Sequence, residues 1–235
     1  MPDFSLFFSR IDDFICPELF SPKLDGYADL ENIWDVLLRI QQGFVKNTVK
    51  PQILGTIEDG AIVKGDIYLG EGSVIEAGAC VCGPAIIGKN VTVRHGALIR
   101  GDVICGDGAV VGHTTEVVRS VFLPEAKAPH FNYVGDSILG SKVNLGAGSK
   151  LSNLKHDRTL VKAVINGQYI QTNLKKFGVI LGDGCQIGCN VVTNPGTIME
   201  PGCMVYACAS IHGYFSKNTI VKLKQQQTRI VANRD

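Results

Sequence analysis

From Ile57 onward, every sixth residue is apolar for eleven successive positions: Ile57, Val63, Leu69, Ile75, Val81, Ile87, Val93, Ile99, Cys105, Val111 and Val117. A period of six fits neither an α-helical turn of about 3.6 residues nor the plain alternation of a half-buried strand. It marks a hexapeptide β-helix, in which three hexads make one triangular coil and stacked coils share a continuous core. Four residues beyond each apolar position stands a small or β-branched residue that can share a narrow interior: Ala61, Ile67, Ser73, Ala79, Ala85, Val91, Ala97, Val103, Ala109, Thr115, Val121. Turn formers lie between, among them Gly60, Asp66, Gly72, Gly78, Pro84, Asn90, Gly96, Asp102 and Gly108. Gly, Asn and Asp tolerate the positive φ of tight corners. A β-sandwich of short strands would not keep so strict a phase.

The rhythm fails twice. Residues from about Phe122 to Phe131 do not fit the hexad, which resumes at Tyr133, Leu139, Leu145 and Leu151. A second break spans about 152–176, after which Leu181, Ile187, Thr193, Met199 and Val205 restore the pattern. Insertions in a solenoid become loops on one face, often the binding face. The first break reads as a loop. The second contains Val164-Ile165-Asn166-Gly167-Gln168-Tyr169-Ile170, a hairpin with an Asn-Gly turn that should project as an arm. Ahead of the hexads, Leu30, Ile33, Trp34, Leu37, Leu38 and Phe44 recur at helical spacing between Ala28 and Asn47, predicting an amphipathic helix that covers the open end of the solenoid. The expected organisation is an N-terminal helical cap segment (1–50), a β-helix domain (51–211) with a loop at about 122–131 and an arm at about 152–176, and a strand-like tail (212–235) that packs on a neighbouring subunit.

Composition bounds the rest. A chain of 235 residues can bury one sizeable core, and a net charge of +1 argues against a nucleic-acid footprint. No apolar run reaches the ~18 residues of a membrane span, and no signal peptide is evident, so a cytoplasmic protein is expected. Of the eight cysteines, Cys105, Cys185 and Cys203 fall on interior hexad positions, where Cys acts as a small hydrophobe. The others lack the paired spacing of a zinc ribbon, so no metal is expected and the free thiols point to a reducing compartment.

His130 is the histidine placed for chemistry. It lies in the first break, within Lys127-Ala128-Pro129-His130-Phe131-Asn132-Tyr133-Val134-Gly135-Asp136. An imidazole, with an unperturbed pKa near 6.5, suits acid/base work, and an ordinary loop histidine is the plain alternative.

Residues 127–153, KAPHFNYVGDSILGSKVNLGAGSKLSN, resemble the acetyltransferase domain of the bifunctional glucosamine-1-phosphate acetyltransferase/UDP-N-acetylglucosamine pyrophosphorylase family. The likeness lies in K-x-x-H-x-x-Y-x-G-D, then x-I/L-G-x-x-V-N-x-G-A-G, then Asn. The archaeal sugar-1-phosphate branch is similar in its NL dipeptide and long arm. The resemblance covers about Ile53 to Ser210 and implies a left-handed parallel β-helix, a homotrimer with sites between subunits, and acetyl transfer from acetyl-CoA to the amine of glucosamine-1-phosphate or galactosamine-1-phosphate, for nucleotide-sugar and cell-envelope synthesis. It implies His130 as general base. Arg100, Tyr133, Asn144 and Asn153 would hold the amino-sugar phosphate, and Gly146, Ala147, Asn153, Cys189 and Ala207 the acetyl-CoA; apart from the resemblance, Lys162, Lys175 and Lys176 in or after the arm are candidates to meet the sugar phosphate or CoA, with solvated arm lysines the plain alternative. A backbone N–H near Gly146-Ala147 would steady the oxyanion.

The chain departs from that pattern. Leu154 stands where the bacterial family has a tyrosine, and Val118 where it has an anion-binding lysine, with Arg119 the neighbouring substitute. No Gly-rich nucleotide loop precedes residue 57, so uridylyl transfer would need a separate nucleotidyltransferase. Two further readings stay open. One is a non-catalytic subunit of a sugar nucleotidyltransferase assembly. The other is a γ-class carbonic anhydrase, suggested by Ile99-Arg100-Gly101-Asp102 and by His95 and His113 one coil apart; Val118 occupies the place of the third histidine that zinc would need.

Overall fold

The computed structural model describes residues 4–165, 167–226 and 228. Short strands stack into three parallel sheets of nine, nine and eight strands, and successive strands fall to the first, second and third sheet in turn. This is the parallel β-helix that the hexads predict. Parallel strands lie about 4.8 Å apart, so each coil sets its side chains directly on those of the coil before.

Three interior columns result. In the first sheet Leu69, Ile87, Cys105, Phe122, Leu139, Leu181 and Met199 are register partners in series. Ile75, Val93 and Val111 do the same in the second sheet, as do Leu145, Ile187 and Val205 further along, and Val81, Ile99, Val117, Val134, Leu151, Thr193 and Ile211 in the third. All of them are buried. Ala128 takes the second-sheet position in the coil that carries Phe122, partnering Val111. A large and a small side chain thereby keep the cross-section filled.

The first break is therefore not a loop. Residues Val121–Phe122 and Lys127–His130 are strands in full register with the coil above. Early coils step by eighteen residues (Leu69 to Ile87), whereas Val117 pairs with Val134 and Val134 with Leu151, a step of seventeen. The missing residue is taken from the corner between the third and first sheets. There Arg119 and Asp136 adopt φ of 45° and 47°, and the hydroxyls of Ser120 and Ser137 each donate at 2.8 Å to the carbonyl two residues back. A one-residue contraction of a corner imitates a lost phase in the sequence.

The second break is the arm. Lys162–Ile165 pairs antiparallel with Gln168–Gln171; Asn166 of the expected turn lies outside the described residues. The arm does not project freely. Val161 and Ala163 are buried in the apolar layer that includes Ile198 on the outside of the first sheet, while the second strand is exposed.

The N-terminal segment corrects the sequence reading twice. Two short helices, α1 (Asp35–Gln41) and α2 (Phe44–Thr48), replace the single helix, broken at Gly43 with φ 88°. The segment also does not cover the open end. Phe8, Phe20, Trp34, Leu37 and Phe44 pack on the outer face of the first sheet, against Ile86, Ile104, Val121, Ile138 and Ile180. Ile53, Ile57 and Ile62 of the first coil stay 47%, 37% and 49% exposed, so the end is open. The reason lies in the strands: those of the first sheet are apolar at three successive positions, as in Ala85-Ile86-Ile87, and need cover on both faces. Arg39 ties the segment together. Its buried guanidinium donates to the carbonyls of Ala28, Leu19, Ser21 and Pro22.

At the C-terminus Ile220–Val221 completes a strand of the second sheet; residues 227 and 229–235 of the expected tail lie outside the described residues. Among the described residues no helix is long and apolar enough to cross a membrane.

Removing the Arg39 side chain leaves the buried Leu19 carbonyl and the half-buried Ser21 and Ala28 carbonyls without this donor. Arg39→Ala is expected to destabilise the N-terminal segment by about 3 kcal/mol. Proteolysis before residue 50 should accelerate, while the β-sheet circular dichroism is retained.

Candidate active site

The corner between the second and third sheets forms a ridge along the β-helix. Successive coils are joined there by backbone bonds: Phe131 N–H to His113 O (2.9 Å), Gly148 N–H to His130 O (3.1 Å), Asn190 N–H to Ala147 O (2.9 Å) and Cys208 N–H to Cys189 O (2.8 Å). The ridge thus lines up His130, Ala147, Cys189 and, beside Cys208, Ala207. His130 ends a strand at this corner and is exposed, where the sequence placed it in a loop. Its backbone is held by Asn132, which the sequence reading did not single out. Asn132 is buried, accepts from His130 N–H at 3.1 Å and donates through Nδ2 to Gly146 O at 2.8 Å. A buried side-chain amide bridging two coils fixes both turns at once.

Of the two N–H groups proposed for an oxyanion, that of Gly146 is engaged by Ile187 O at 2.6 Å. The Ala147 N–H is the one left to a ligand. Above His130 the ridge continues through His113 and His95, whose rings stack at 5.7 Å with 13° between planes; Phe131 meets His113 edge-on at 5.2 Å. Nδ1 of His95 bonds Ala77 O and Nδ1 of His113 bonds His95 O.

The other site residues fall on two faces that meet at the ridge. Asn144 stands on the second sheet, in register with Lys127 and Gln186. Tyr133 stands on the third sheet in register with Glu116 and Lys150, and Glu116 pairs with Arg100. Within one chain, therefore, Asn144 is parted from Tyr133 and Arg100 by the corner that carries His130. Lys162 stands apart from both groups. It lines a cavity of about 430 Å³ under the arm, with Ser152, Leu154, His156, Tyr169 and His212.

Behind Tyr133 lies a polar cluster. Asp136, fully buried, accepts Arg119 Nε at 2.7 Å and Nη2 at 2.9 Å, Asn153 Nδ2 at 2.5 Å and Gln41 Nε2 at 3.1 Å. The Asn153 amide also stands against the Tyr133 hydroxyl, both beside Gly135. Burial, then the charges of Glu116 and Asp136, push the Tyr133 phenol above its ordinary value, so it keeps its proton. Gly135 is required here: a Cβ on it would stand 2.6 Å from Asn153 Nδ2 and 2.8 Å from the Tyr133 oxygen. The bidentate bond to Asp136 raises the Arg119 pKa and directs its guanidinium inward. Arg119 therefore does not replace the lysine missing at Val118, which is itself buried. In the sequence Asp136 was only the last letter of the K-x-x-H-x-x-Y-x-G-D motif, with no role given to it, and Gln41 was not singled out, because their partners come from distant segments.

No protein-family model matches the chain. It is 35% identical over 200 residues to the bifunctional protein GlmU of Methanocaldococcus jannaschii, covering 85% of this chain and 48% of that protein. It is 43% identical over 205 residues to GlmU of Methanococcus maripaludis, covering 87% and 49%. It is 32% identical over 191 residues to the bifunctional sugar-1-phosphate nucleotidylyltransferase/acetyltransferase of Sulfurisphaera tokodaii, covering 81% and 47%. The chain spans about half the length of these curated relatives. Among solved structures, the polysialic acid-specific acetyltransferase NeuO matches 74% of the chain at 12% identity with a TM-score of 0.39.

The coil architecture is that of a hexapeptide-repeat β-helix. Over most of its length the chain is similar to proteins named as bifunctional GlmU and as bifunctional sugar-1-phosphate nucleotidylyltransferase/acetyltransferase.

Arg119→Met would leave the Asp136 carboxylate buried without its cation. The expected cost is about 3 kcal/mol, read as a fall in thermal midpoint; an unchanged midpoint would show the pair to be dispensable.

Proposed function

We propose that the chain transfers acetyl from acetyl-CoA to the amine of an amino-sugar 1-phosphate. The observation that carries this reading is the ridge: an exposed imidazole at its centre, with the Ala147 N–H one coil below and small, open turns at Cys189 and Ala207 beyond. A row of such turns lets an extended pantetheine arm lie against the corner, thioester toward His130. The similarity to proteins named as bifunctional GlmU and sugar-1-phosphate nucleotidylyltransferase/acetyltransferase supports the substrate class.

In this reading the sugar amine attacks the thioester carbonyl carbon. His130 takes the proton that the nitrogen sheds as the C–N bond forms. The carbonyl oxygen, now negative, accepts from the Ala147 N–H. Collapse of the tetrahedral intermediate breaks the C–S bond, and the proton passes from the imidazolium to the departing CoA sulfur. Arg100, held by Glu116, supplies a cation for the sugar phosphate, and the un-ionised Tyr133 and the Asn153 amide supply neutral hydrogen bonds to the ligands. Asn144 lies round the corner from these groups. The proposed site is accordingly completed between subunits of a homotrimer, the Asn144 face of one copy meeting the Tyr133 face of the next. Lys162, under the arm, is proposed to reach the acceptor phosphate at that boundary. No metal takes part in this scheme.

CoA thiol release with glucosamine-1-phosphate and galactosamine-1-phosphate tests the activity and decides between the two sugars. His130→Ala is expected to lower kcat by about 10²–10⁴-fold. Wild-type turnover in that variant would remove His130 as the base. Absence of release with either sugar would favour a non-catalytic assembly subunit.

A further inference from the structure

Asp136 is an acceptor-only group at the meeting point of three segments: the contracted corner of the β-helix, the start of the arm, and helix α1. Its four hydrogen bonds use both oxygens, with Gln41 Nε2 and Arg119 Nε on Oδ1, and Arg119 Nη2 and Asn153 Nδ2 on Oδ2. The carboxylate decides which way the Asn153 amide faces. An amide turned the other way would set two oxygens against each other, so Nδ2 must point at Asp136. Oδ1 of Asn153 is thereby directed away from the carboxylate as an acceptor, and the same amide group stands against the Tyr133 hydroxyl beside Gly135.

Gln41 connects this arrangement to the N-terminal segment. Its Nε2 also donates to Lys176 O at 2.9 Å, where the arm rejoins the β-helix. At that junction Phe177 N–H donates to Asn153 O at 2.9 Å and Gly178 N–H to Asp136 O at 2.8 Å. A segment that lies on the first sheet thus reaches round the corner and fastens the support of the third-sheet face.

We propose that Asp136 and Gln41 are positioning residues: they fix the orientation of Asn153 and, through it, of Tyr133, so that the N-terminal segment controls ligand binding at a site it does not touch. This rests on the acetyl-transfer reading, in which Asn153 meets acetyl-CoA. Neither residue exchanges a proton with the substrates. Their loss acts on binding rather than on the chemical step.

Two measurements test the proposal. In steady-state kinetics, Asp136→Asn is expected to raise KM for acetyl-CoA about tenfold, and Gln41→Ala about threefold, with kcat within about twofold of wild type, as loss of hydrogen bonds that orient a binding group predicts. In an Asn153→Ala background neither change should raise KM further. An undiminished rise in that background, or a wild-type KM in Gln41→Ala, overturns the proposal. Gln41 is exposed, so Gln41→Ala carries the test even where Asp136→Asn fails to fold. The second measurement needs no turnover. In ¹⁵N spectra of the ligand-free protein, the Asn153 side-chain amide should move in Gln41→Ala; an unmoved amide refutes the coupling. This shift in Gln41→Ala, together with no acetyl transfer by the wild-type protein, would sink the proposed function and leave the positioning role standing.

Discussion

Every coil of this β-helix has to fill the same triangular cross-section with three larger inward side chains and the smaller ones beside them. That constraint governs the rest of the structure. Parallel strands about 4.8 Å apart leave no slack between coils, so a change of volume at one position must be met by another in the same layer. Phe122 and Ala128 show this within one coil. What the interior holds constant, the corners can vary, and the distinctive features of the chain lie at corners.

The corner between the third and first sheets is the clearest case. Its contraction by one residue in two successive coils puts Arg119 and Asp136, both at positive φ, directly over one another. A left-handed conformation costs a non-glycine residue about 1 kcal/mol or more. The bidentate ion pair and the serine hydroxyls hold the two turns in place against that cost. The arm leaves the coil just after this corner's third-sheet strand, so the carboxylate that stabilises the turn also receives Asn153. Structural support and site geometry share one group.

The covering of the first sheet has the same origin. Strands apolar on both faces require a second layer, and the N-terminal segment and the arm supply it. The second and third sheets carry Lys127, Asn144 and Gln186, and Glu116, Tyr133 and Lys150, on their outer faces and stay open. The His130 ridge separates those two open faces. In the proposed trimer, that ridge is where copies would approach without displacing another layer.

The six-residue rhythm by itself determined the β-helix, its interior columns and the position of the arm, because the requirement repeats locally in every coil. The family resemblance, not the rhythm, named His130, Ala147, Cys189 and Ala207, and the stacked coils bring them to one corner. The rhythm misread the contraction near Phe122 as a loop, because losing one residue and inserting several look alike when only phase is followed. The paired Ser120 and Ser137, each after its positive-φ residue, were the signal that the coil continued. Only the tertiary structure decided where the N-terminal segment lies, that Arg119 turns inward, and that Gln41 meets Asp136 ninety-five residues away. Helical periodicity gave α1 an apolar face without naming the surface that receives it. That choice follows from which sheet was left with an uncovered apolar face, a property of the assembled coils rather than of any one segment.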